Sequence, residues 1–256
     1  MEDEKKTFTG MKENHIEGRN AVLEAFRSGR TIDKLYVLDG CQDGPVRSIT
    51  REARKHDTIV NYVTKERLDQ ISETGKHQGV IAVSAAYDYA RVEDILELEE
   101  KKGEPPFILI LDGIEDPHNL GAIIRTANQA GAHGVIIPKR RAVGLTPTVA
   151  RTSAGAVNYV PVAKVTNISN TMKELKDRGM WFVCADMDGT LMYDMDLTGP
   201  IGLVIGNEGD GVSPLVKKNC DMVASIPMKG DIDSLNASVA AGVLSYEIVR
   251  QRMKKG

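Results

Sequence analysis

Hydrophobic positions in this chain form short runs separated by amphipathic stretches, and the two halves differ in regularity. In the first half, GRNAVLEAFRSG (18–29) puts Val22, Ala25 and Phe26 on one helical face, with Gly29 as its stop. KLYVLD predicts a strand, PVRSITREARKHD a helix and GVIAVSA another strand, together a small α/β domain. The segment ELEEKKGEPP (97–106) breaks the pattern, because a charged helix end passes through Gly103 into two prolines. Beyond it the alternation is regular. Strand-like runs occur at FILIL (107–111), GVIIP (134–138), NYVPV (158–162), MWFVCA (180–185), GLVIG (202–206) and MVASIP (222–227). Helical patterns such as LGAIIRTANQAG and NISNTMKELKDRG lie between several of them. Apolar strands separated by helices predict a parallel sheet covered on both faces, with ligands bound beyond the carboxyl ends of the strands. The expected organisation is an N-terminal domain over 1–97 (1–12 as a flexible lead), a linker over 98–106 and a second domain over 107–256.

Composition narrows this modestly. The 256 residues are 41% hydrophobic and 27% charged, as in an ordinary soluble globular protein. A net charge of −3 announces no global nucleic-acid binder, although a local basic patch can still carry phosphate contacts. Cys41, Cys184 and Cys220 are odd in number and far apart, which argues for free thiols in a reducing cytoplasm and against a disulfide framework or zinc site. MEDEKKTFTG lacks the apolar core of a signal peptide, and FILIL is too short to span a bilayer. No membrane association and no metal are expected.

Two local motifs invite chemistry and fail on spacing. WFVCADMDGTL (181–191) has the look of an aspartate-nucleophile phosphatase, with Asp186 as nucleophile and Asp188 as general acid. Its partner acidic loop would be GNEGDGVSP (206–214), but Asp186 and Asp210 stand only 24 positions apart. That leaves room for little more than one strand, where several strand–helix units and a phosphate-binding lysine are needed. GNEGDG also reads G-x-x-G-x-G rather than the dinucleotide fingerprint G-x-G-x-x-G.

Three strand ends carry the stronger signal: NLGAIIR with Asn119, Gly121 and Arg125; IGNEGDGVS with Glu208; and IPMKGDIDSLNASVA with Ser234, Leu235 and Asn236. Singly each has a bland reading. Asn119 and Asn236 could be helix N-caps, Arg125 a surface residue and Glu208 a solvated turn acid. In this order and spacing they resemble the SpoU (TrmH) group of SPOUT RNA 2′-O-ribose methyltransferases. IEGRNAVLEAFRSG, the KLYV strand and KHQGVIAV extend the resemblance to the two-domain, RlmB-like members.

The resemblance implies a C-terminal SPOUT domain with a parallel sheet and deep trefoil knot, and a small N-terminal α/β domain like ribosomal RNA-binding proteins. It implies S-adenosylmethionine as methyl donor, held largely by backbone at Gly206, Ile226 and Leu235, with Met228 and Asn236 close by. Arg125 would stabilise charge on the ribose oxygen, held in place by Glu208. Asn119 and Ser234 would shape the pocket, and Asn236 would support the donor loop and cap the last helix. A guanosine ribose in 23S ribosomal RNA is the expected target; a tRNA guanosine, an adenosine targeted for antibiotic resistance, or a non-catalytic knotted RNA-binding protein are the alternatives. PKRRAVGLTPTVARTSAGA (138–156) offers Lys139, Arg140, Arg141 and Arg151 to RNA phosphate without one acid among them. Arg19, Arg27 and Arg30 are further candidates. The last helix, with Ala240, Val243, Leu244 and Ile248 on one face, is expected in a homodimer interface by family analogy.

Overall fold

The computed structural model describes residues 14–232 and 234–255, so the lead expected over 1–12 lies outside the described residues. The elements are β1 (His15–Glu17), α1 (Arg19–Arg27), β2 (Ile32–Leu38), α2 (Gly44–Lys55), β3 (Ile59–Val63), α3 (Lys65–Ile71), β4 (Val80–Ser84), α4 (Val92–Lys102), β5 (Phe107–Asp112) and α5 (Pro117–Gln129). They continue as β6 (Gly134–Pro138), α6 (Pro147–Thr152), β7 (Val162–Val165), α7 (Ile168–Lys176), β8 (Trp181–Leu191), β9 (Ile201–Gly206), α8 (Pro214–Lys218), β10 (Met222–Ser225) and α9 (Ala237–Lys255). Two compact units result: one runs to Asp88 and includes Gly144–Pro147, and the other takes the rest from Tyr89.

In the first unit the strand order is β1-β4-β2-β3. β2 and β3 are parallel, and the other pairings are antiparallel. Val22 and Phe26 of α1, with Val46, Ile49 and Ala53 of α2, pack on Leu35, Val37, Val80 and Ala82. The Asp43 carboxylate caps α2 by accepting from the Val46 N–H at 3.1 Å. The strand at β3 escaped the sequence pattern because it lies at the sheet edge and none of its residues is fully buried.

The second unit holds a six-stranded, wholly parallel sheet in the order β10-β8-β9-β5-β6-β7. Its boundary differs from the expected one. α4 belongs to this unit, because Ile95 and Leu96 are buried in the same cluster as Ile108, Ile136 and Phe182. The strand read at 158–162 begins instead at Val162. Pro161 gives its carbonyl to Val135 but has no N–H for pairing, and residues 156–158 form a 3-10 turn. α9 buries Ala237, Ala241, Leu244 and Ile248, whereas Ala240 and Val243 are only partly covered, so the core face is turned from the one expected.

WFVCADMDGTL is a single strand interrupted by a bow. β8 pairs with β10 at Val183 and Cys184, and pairing resumes only at Thr190 and Leu191, opposite the next residues of β10. Gly189 permits the return: a Cβ there would stand 2.5 Å from the Val223 carbonyl oxygen. Among the described residues, no helix is long and apolar enough to cross a membrane.

Candidate functional site

β5 and β9 lie side by side, with Asp112 opposite Gly206. From β5 the chain moves to β6 on one side, and from β9 to β10 on the other. Their carboxyl ends thus form a topological switch point, where an open parallel sheet leaves a crevice. The three motif loops meet there.

Asn119 does not cap its helix. Asp116 does, accepting from the His118 N–H at 2.9 Å with Pro117 at the first helical position. The Asn119 side chain is therefore free for the site; it is 5% exposed and donates its amide to Glu208 Oε1. Asn236 Nδ2 donates to the same Glu208 oxygen at 2.7 Å and to Asn119 Oδ1 at 3.0 Å. Its Oδ1 meanwhile accepts from the Ser238 N–H (2.9 Å) and hydroxyl (2.6 Å), capping α9. One side chain thus joins all three motifs and starts the last helix. The loop after β9 is set by Asn207, whose Oδ1 accepts from the N–H groups of Gly209 and Asp210. Asp112 accepts from the Ser213 N–H at 2.8 Å, binding the end of β5 to that loop.

A cavity of about 490 Å³ opens beside this network, within the usual range of small-molecule sites. Gly206, Ile226, Met228, Ser234, Leu235 and Glu208 all line it, and so do Ala185 to Asp188 of the β8 bow. Glycines and alanines make up part of its wall, apolar Met187, Ile226, Met228 and Leu235 another part, and Asp186, Asp188, Glu208 and Asp210 give it an acidic side. A Cβ on Gly206 would meet the carbonyl carbon of Gly211 at 2.0 Å and the Val212 nitrogen at 2.2 Å. Among these acids, Asp186 accepts through its Oδ2 from Lys217 Nζ, also in the lining, at 2.6 Å. That bond holds the Asp186 carboxyl below its usual range, against the burial that raises it, and the carboxylate raises the Lys217 ammonium in return. Lys217 had no motif to mark it: PLVKK reads as a solvated short helix.

Arg125 is placed differently from expectation. It is exposed on α5, and among the described residues no hydrogen bond or ion pair engages its guanidinium. The expected contact with Glu208 is replaced by the two asparagine amides. Arg125 stands six positions past Asn119, about 120° around the helix by the shorter way, so the two lie on different faces of α5. Of the basic cluster, Arg140, Arg141 and Arg151 are exposed and Lys139 is half-buried, on the segment leaving the carboxyl end of β6. Burial, then the neighbouring Lys164, lower the Lys139 ammonium pKa. Arg19 is already engaged by Asp43 at 2.6 Å and by the Gln78 carbonyl.

Residues 106–246 match the SpoU rRNA Methylase family, and residues 15–90 match the domain described as RNA 2′-O ribose methyltransferase substrate binding. The TrmH-family protein YacO of Bacillus subtilis is 48% identical over 95% of this chain and 98% of its own length. The SpoU methyltransferase AviRb of Streptomyces viridochromogenes, solved with AdoMet, aligns with a TM-score of 0.61 at 28% identity, covering 94% of this chain and 91% of that one. An AdoMet-bound rRNA methyltransferase from Sinorhizobium meliloti aligns at 0.57 with 26% identity, over 92% and 86% of the two chains.

Proposed function

As this chain belongs to the SpoU rRNA Methylase family, a group of S-adenosylmethionine-dependent RNA methyltransferases, we propose that it methylates the 2′-hydroxyl of a guanosine ribose in 23S ribosomal RNA. The observation that carries the reading is the meeting of all three motif loops beside one cavity. Such a cavity suits the donor: Gly206 lets the chain close in, while Ile226, Met228 and Leu235 supply apolar surface. The donor brings an electrophilic methyl on a sulfonium that is its own leaving group. What remains for the chain is to align the ribose oxygen and to stabilise the negative charge growing on it.

Arg125 is the residue assigned to that oxygen, as charge stabiliser, since a guanidinium is hard to deprotonate. Glu208, Asn119 and Asn236 hold the loops in register, and Ser234 shapes the rim. Because Arg125 lies on a different face of α5 from Asn119 and its network, the assignment is joined to a homodimer in which a second copy completes each site. Val239, Tyr246 and Met253 form an exposed stripe at seven-residue spacing on α9, which supports that interface. The trefoil knot is part of the same reading; Gly206 pressed on Gly211 and Val212 supports a tightly wound chain there. The 15–90 unit would bind the RNA, together with Lys139, Arg140, Arg141 and Arg151.

Transfer of labelled methyl to ribosomal RNA and to tRNA from a deletion strain tests the target. Arg125→Ala should abolish transfer while leaving donor binding intact. Substantial residual activity would remove Arg125 from the mechanism, and methylation confined to tRNA would overturn the ribosomal target.

A further inference from the structure

The N-terminal unit has a concavity of about 500 Å³ that no motif marks. Arg47, Arg51 and Arg54 of α2 line it together with Tyr62 of β3. The arginines stand at i, i+4 and i+7, so they form one stripe about 10 Å long, turned away from the face on which Val46, Ile49 and Ala53 enter the core. All three are exposed, and among the described residues no hydrogen bond or ion pair engages their guanidiniums. Nearby acids are largely spoken for: Glu52 pairs with Lys55, leaving Arg51 a weaker attraction to it, and Asp43 pairs with Arg19. Asp39, also in the lining, holds the Gly40 N–H.

Tyr62 lines the same concavity from β3, the edge strand. Its side chain is 54% exposed, on the same side of the strand as Val60, which packs against the α2 core. An aromatic ring left half in water beside three unpaired guanidiniums fits a ligand with both a π-face and closely spaced anions. In duplex RNA the bases are stacked out of reach, whereas a single strand offers them freely. Resting on the RNA-methylating reading above, we infer that this groove binds a single-stranded segment of the substrate RNA, with a base stacked on Tyr62 and phosphates along Arg47, Arg51 and Arg54. It is a site separate from the basic cluster after β6.

The test uses the full chain and a short, fluorescently labelled, mixed-sequence single-stranded RNA, titrated by anisotropy across a salt series. Tyr62→Ala should weaken binding about 5- to 150-fold, the range of one base–aromatic stack, while Tyr62→Phe binds as the wild type does. Arg47→Gln, Arg51→Gln and Arg54→Gln combined should lower the slope of log affinity against log salt by about 2. Gln retains helix propensity, and unchanged S-adenosylmethionine binding verifies the fold of the second unit while circular dichroism verifies the first. The inference is overturned if Tyr62→Ala binds the single strand as tightly as wild type, or if the matching duplex binds equally well and suffers equally. Failure of the enzymatic reading looks different. There the wild type transfers no methyl to any RNA, yet the groove variants still lose affinity for the single strand.

Discussion

The two concavities differ little in volume, about 490 Å³ against 500 Å³, and are built on opposite principles. The switch-point cavity is made largely of loop residues, with glycines and alanines where the chain closes in, an ion pair at Asp186 and Lys217, and further acids at Asp188, Glu208 and Asp210. The α2 groove is made of long side chains standing off a regular helix and an edge strand. A wall of backbone recognises shape, and one added methyl can close it. A stripe of guanidiniums recognises charge, and each loss should weaken it by a step. Similar size therefore says little about what a pocket holds; the construction of its wall says more.

The sharpest way to break this contrast is Gly206→Ala. Its Cβ must displace the Gly211–Val212 backbone, so we expect about 3 kcal/mol of destabilisation and loss of donor binding, read by urea unfolding and calorimetry. Near-normal donor affinity would show that the cavity is not shape-limited. Asn236→Ala comes next. It removes the α9 cap and one of two donors to Glu208, a loss of about 2 kcal/mol in thermal unfolding. Asn236→Asp keeps the cap but sets a carboxylate against Glu208; equal stability to wild type would discount the network.

Lys217→Met should cost about 1 kcal/mol, since the pair is partly solvated. The Asp186 carboxyl is depressed, so its stabilisation is present above the ordinary carboxylate range and lost as pH falls through the lowered value. In the variant that acid dependence should shrink, as seen in unfolding midpoints against pH.

A purely pH-dependent effect is expected at Glu17 of the first unit, which lines neither concavity. Burial raises its carboxyl, but the hydroxyls of Ser72 and Thr74 and the N–H groups of Glu73 and Thr74 outweigh this and lower it from 4.5 to about 2. Its contribution is complete above about 4.5 and fades as pH falls towards about 2. Glu17→Gln should flatten the stability curve in that window and leave donor and RNA binding unchanged.

How far the sequence discloses this molecule follows from what each feature depends on. Gly206, Ile226, Met228, Ser234 and Leu235 could be named from sequence through the motif resemblance, and they meet at one cavity because a parallel sheet collects its loops at the carboxyl ends of its strands. The orientation of Arg125 could not, because it depends on helical phase relative to a partner far along the chain. α4 reads in sequence as the end of the first domain running into a linker, because only Ile95 and Leu96 among its mostly charged residues reach the core. The arginine stripe reads as an ordinary solvated helix face until Tyr62, on another element, is placed beside it.

The bow in β8 has a consequence for how this pocket can vary. Val223 and Ala224 are consecutive, yet their partners Cys184 and Thr190 are six positions apart. Pairing on either side is set independently, so inserting or deleting residues within 185–189 need not slip the register or turn core side chains outward. Length changes there would re-size the switch-point cavity while the sheet beneath stays in place. Among homologues, that makes the bow the natural place for drift in a protein whose other pocket walls are fixed by close backbone contact.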